Sequence, residues 1–89
     1  MSIPIKRLQK LKSNNQAAIF ATNTGIQRLK SGDLVAAIEL FEKAIGLDPE
    51  YAQAYYQLGL AVQKRGKQAE AQKAFNRARQ LNPKLRMSN

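Results

Sequence analysis

Apolar residues recur along this chain with the period of a helix. Tyr55, Leu58, Gly59 and Val62 stand at i, i+3, i+4 and i+7, which lines one face of an α-helix at about 100° per residue. Gly66 interrupts that face, and glycine fits the left-handed position past a helix end at little cost. Beyond it Ala71, Ala74, Ala78 and Leu81 form a second stripe, with Phe75 at its border. The same scheme precedes it around Gly32, where Asp33 is placed to cap the second helix. Asp48-Pro49 and Asn82-Pro83 read as a cap followed by proline at the first helical position, where its missing N–H costs nothing. The pattern predicts an all-α chain in which a helix, tight turn and helix are written twice.

Displacing the sequence by 34 residues lays one half on the other. Ala18, Gly25, Lys30, Gly32, Ala37, Phe41, Ala44, Leu47 and Pro49 fall on Ala52, Gly59, Lys64, Gly66, Ala71, Phe75, Ala78, Leu81 and Pro83. Nine identities in 32 aligned pairs far exceed the about two that average composition would produce. The shared small residues have a mechanical reason. Gly25 facing Ala37, and Gly59 facing Ala71, let two antiparallel helices approach closely, while Phe41 or Phe75 fills the remaining space. A helix pair this short cannot bury its stripe alone and must stack on a neighbour.

With Gly25, Ala37, Phe41, Ala44 and Pro49 repeated as Gly59, Ala71, Phe75, Ala78 and Pro83, the chain resembles the tetratricopeptide repeat family. The resemblance covers about three quarters of the sequence. It is weakest in the opening helix, where Ala21, Thr24 and Arg28 stand in place of Tyr55, Leu58 and Val62. It implies an α-solenoid fragment of two stacked antiparallel helix-turn-helix repeats, 18–51 and 52–85, within a domain spanning 16–83. A basic extension (1–15) and a basic tail (84–89) flank it. The resemblance also implies a non-catalytic adaptor that binds a protein on the concave face formed by the first helix of each pair. The concave positions are then Ile19, Thr22, Asn23, Ile26, Leu29 and Lys30, followed by Gln53, Tyr56, Gln57, Leu60, Gln63 and Lys64. From these, Asn23, Ile26, Lys30, Gln53, Tyr56, Gln57, Leu60 and Lys64 are the candidate partner-binding residues. Their mix of apolar, amide and cationic groups suits an acidic or amphipathic peptide or helix. The family's carboxylate clamp for chaperone tails is not expected, because Thr22, Ile26 and Gln57 occupy its places.

The two ends are read differently. Leu34, Ile38 and Ile45 become Gln68, Gln72 and Arg79 in the second unit, a polar edge that suits a terminal repeat. At the other end, Pro4 to Lys12 carries Ile5, Leu8 and Leu11 among four cations. It reads as a capping helix on the first pair, as a basic segment for an acidic partner or anionic surface, or as an unstructured stretch too short for a stable helix.

Charge narrows the partners. The net +9 is concentrated in both tails and the second unit, while residues 18–49 sum to −1. Lys64, Arg65, Lys67, Lys73, Arg77, Arg79, Lys84 and Arg86 make the denser cluster. The alternative function is therefore a basic accessory protein on RNA or a nucleic-acid-containing complex, and self-association is a third option. Cysteine, histidine and tryptophan are absent, which removes disulfides, thiolate or imidazole metal sites and the usual nucleophile–base pairs. No cofactor motif appears. Without an unbroken apolar run, neither a secretory signal nor a membrane span is expected, and the chain reads as cytoplasmic.

Overall fold

The computed structural model describes residues 13–85. They form α1 (Gln16–Lys30), α2 (Leu34–Leu47), α3 (Ala52–Lys64) and α4 (Gln68–Leu81), with no strand among the described residues. The segment Pro4–Lys12 and Arg86 lie outside them. α1 packs on α2 and α3 on α4, while α2 also packs on α3 and α1 touches α3. Two helical hairpins therefore lie side by side, as the repeat predicts.

The turns within each hairpin are closed by glycine. Gly32 and Gly66 adopt φ of 87° and 84°, a region that residues with a Cβ disfavour. In each turn two N–H groups reach back to the preceding helix. Gly32 and Asp33 donate to the Leu29 and Arg28 carbonyls at 3.1 and 2.9 Å, and Gly66 and Lys67 to Gln63 and Val62 at 2.9 and 3.0 Å. These paired bonds satisfy carbonyls that a helix end otherwise leaves open. The Asp33 side chain then accepts from the Ala36 N–H and caps α2, whereas Lys67 at the equivalent place has no side-chain cap to offer α4.

The joint between hairpins corrects one expectation. Asp48 and Pro49 do not cap and open α3; Pro49 and Glu50 form a turn, and the helix starts at Ala52 after Tyr51. Asp48 is committed elsewhere. Its carboxylate accepts from the Ser13 hydroxyl at 2.5 Å and from the Glu50 N–H at 3.1 Å, and its carbonyl accepts from the Tyr51 N–H. Asn82 and Pro83 repeat the turn, with the Asn82 side chain accepting from the Lys84 N–H. Asn15 caps α1 and also donates to the Leu47 carbonyl, so Ser13 and Asn15 tie the start of the first hairpin to the joint.

The core is built from small side chains. Among the described residues, ten of the twelve buried apolar ones are alanine, which leaves Phe41 as the one large apolar side chain fully enclosed there. A Cβ added at Gly25 would stand 2.5 and 2.8 Å from Phe41 ring carbons, and one at Gly59 would meet Phe75 as closely. The close approach inferred from sequence is present in both units. Ile38 and Ile45 of α2 pack toward α3 across the hairpin boundary, while the equivalent Gln72 and Arg79 are exposed on α4. There Gln72 and Arg79 both hydrogen-bond to Asn76.

Two predictions follow from this packing. Gly25→Ala should lower stability by about 1–2 kcal/mol, because crowding the enclosed Phe41 ring outweighs the roughly 1 kcal/mol gain in helix propensity. Gly59→Ala should cost less, since Phe75 is only half-buried and its ring can yield. Thermal melts of the two variants against the parent would show the order.

Tyr51 supplies the second. Burial, with the Asp48 carboxylate adding to it, raises the phenol above its usual 10.0. The folded chain therefore holds the neutral phenol more firmly than the unfolded chain does. That contribution is whole below about pH 10 and is lost as pH rises through the higher folded value. The stability difference between the parent and Tyr51→Phe should be constant at neutral pH and shift against the parent above about pH 10. Denaturant titrations across the alkaline range would measure it.

Candidate functional site

α1 and α3 run together along one side of the molecule, and their outward positions make one surface. Asn23 and Lys30 on α1 and Lys64 on α3 are exposed, while Ile26, Gln53, Tyr56, Gln57 and Leu60 are half-buried. The two lysines occupy equivalent places in the last turns of their helices. A cation there is favoured by the helix dipole, and it also puts two positive groups at the same end of the surface.

The packing separates these residues by role. Ile26 and Leu29 rest on the cluster of Ala37, Phe41 and Ala61, so they floor the surface as well as line it. Tyr56 turns toward α4, its ring centroid 5.8 Å from that of Phe75 at 46°. It is thus held within its own hairpin and forms the edge of the surface. Thr22 departs from expectation. It is fully buried, and its hydroxyl donates to the Ala18 carbonyl at 2.9 Å. The neighbouring helices close over Thr22, so its side chain is not available to a ligand. The equivalent flank of α3 has no further hairpin against it among the described residues and keeps Tyr56 half-open.

Other features were not predicted. Phe20 on α1 is 73% exposed. Its counterpart Ala54 is fully buried against Ala18, Ala21 and Ala44, so Phe20 lies on the flank through which one hairpin stacks on another. The signal was present in the 34-residue alignment, as an aromatic standing opposite a buried alanine. A groove on the far side of α3, where Arg77 lies over the Tyr55 ring, was also missed, because it forms only when three helices meet. No group of three potential metal ligands occurs among the described residues, and none of their helices is long and apolar enough to cross a membrane.

Comparison with known proteins agrees with this geometry. A family model described as TPR repeat matches residues 25–66, and one described as tetratricopeptide repeat matches 52–85. An uncharacterized protein of Methanocaldococcus jannaschii is 33% identical over 67 residues, covering 75% of this chain and 78% of the relative.

The Tyr56 geometry has a consequence for stability. Tyr56→Phe should leave the melting temperature almost unchanged, because the contact with Phe75 needs only the ring. Tyr56→Ala should cost about 1–2 kcal/mol, through the lost ring pair and the apolar area it covers. Thermal unfolding of both variants separates packing at this position from any part in binding.

Proposed function

Because the chain belongs to the tetratricopeptide repeat family, we propose that it is a non-catalytic, cytoplasmic adaptor that binds an acidic or amphipathic segment of a partner protein along α1 and α3. The observation that supports this reading is the contact between α1 and α3, two helices that carry Lys30 and Lys64 in their last turns and Ile26 and Leu60 one turn before. A segment lying across the two helices meets apolar area at its centre and positive charge at one end. Asn23, Gln53 and Gln57 supply amide donors and acceptors to its backbone, as is common where an extended or helical segment is held in a groove. Electrostatics of this kind speeds encounter and selects partners more than it adds affinity.

A photo-crosslinking residue placed at Asn23 should capture a discrete protein partner from native lysate. Affinity of the purified pair should fall by about tenfold or more in Leu60→Asp and in the Lys30→Glu, Lys64→Glu double variant. Raising salt from about 50 to 200 mM should weaken a protein partner only modestly. An RNA-binding surface with 6–10 phosphate contacts would lose about 10³–10⁵-fold over that range, and such a loss would replace this reading with the nucleic-acid one.

A further inference from the structure

On its other side α3 borders a groove, lined by half-buried Tyr55 and Leu58 and by buried Val62. Tyr55, Leu58 and Val62 point roughly 160° around the helix from Gln53, Gln57, Leu60 and Lys64, taking 100° per residue. They floor a groove of about 270 Å³ between α2 and α4. Its lining is mainly apolar, with Glu42 of α2 on one wall and Glu70, Lys73 and Arg77 of α4 on the other. We propose that this groove is a separate docking site for an amphipathic helix of a partner protein, which inserts one bulky apolar side chain and sets a carboxylate against Lys73 and Arg77.

Size argues for this occupant. The space is a little below the roughly 300–1,000 Å³ of small-molecule pockets, and it matches the anchoring side chain of a protein segment better than a free metabolite. Charge sets the polarity of docking. Glu70 stands at the start of the α4 wall, where its exposed carboxylate faces Lys67 at 3.9 Å, and the cations Lys73 and Arg77 follow it along the helix, which sets the partner's carboxylate at their end of the groove. The Arg77 guanidinium sits 6.0 Å from the Tyr55 ring centroid, at the limit of a favourable cation–ring contact. One of its nitrogens donates to Gln80 at 3.2 Å, which steadies the group and leaves further N–H donors for a carboxylate. Glu42 across the groove repels an acidic residue on that side, so the partner's carboxylate is steered to α4. The floor is also particular to this repeat, since Ala21, Thr24 and Arg28 stand at the equivalent places on α1.

Panning a phage-displayed random-peptide library on the folded chain tests the site without knowledge of the natural partner. Enriched sequences should carry Asp or Glu three or four positions from a large apolar residue, as one helical face requires. Synthetic versions, measured by fluorescence anisotropy, should bind Tyr55→Ala and Arg77→Glu at least about tenfold more weakly than the parent. The Lys30→Glu, Lys64→Glu variant should bind them unchanged. Arg77→Glu alters an exposed side chain and guards against a Tyr55→Ala chain that fails to fold. Failure to enrich any peptide, or peptides indifferent to Arg77→Glu, would overturn the proposal. Peptides lost only in the Lys30 and Lys64 variant would also overturn it, while leaving the α1–α3 reading intact.

Discussion

The seating of Phe41 against Gly25 is the contact on which the first hairpin, and through it the array, depends. Alanine offers little apolar area, so a core made of it is stable only when helix backbones come close enough for every methyl to be covered. Glycine on one helix lets that approach happen, and the phenyl ring from the other fills the volume that alanines cannot. Phe41 then reaches beyond its own hairpin, since it shares a cluster with Ala61 of α3. One ring therefore holds helices within the first unit and joins that unit to the second. The copy in the second unit is looser. Phe75 has Tyr56 on one side and no further hairpin on the other among the described residues, so it remains half-buried.

Close stacking has a second outcome, in the way α3 is used. It contacts α1, α2 and α4 and is buried along more of its circumference than the single stripe in its sequence announces. What remains of its surface is divided into two opposite strips. One continues across to α1 and carries amides and lysine; the other is walled by α2 and α4 and is apolar with charged rims. A helix held between three neighbours can expose two such strips without losing its hold, because the buried flanks alone position it. Two hairpins are thus enough to present chemically distinct surfaces on opposite sides of one helix.

The joint at Asp48 shows how a local rule yields to its surroundings. Asp-Pro is a sound helix-start signal when the aspartate is free to take up the first N–H groups. Here the carboxylate is shared between Ser13, far away in sequence, and Glu50 in the turn. The start of α3 is displaced to Ala52, and Tyr51 enters the space between hairpins, where it packs on the alanine cluster. The cost to the helix of an uncapped start is offset by a bond that ties the beginning of α1 to the repeat boundary.

Much of this was legible in the residues themselves. The helical period, the glycine breaks at Gly32 and Gly66, the cap at Asp33 and the 34-residue recurrence each depend on neighbours a few positions away or on exact repetition, and both are written along the chain. Those signals determined the number of helices, their order and the pairing of Gly25 with Phe41 and Gly59 with Phe75. The burial of Thr22, the turn of Tyr56 toward Phe75, the exposure of Phe20 and the groove beneath Arg77 were decided by tertiary structure. Each depends on which flank of a helix a neighbouring hairpin covers. Equivalent residues such as Thr22 and Tyr56 share a register yet differ in cover, because a flank is sealed only where another helix happens to lie against it.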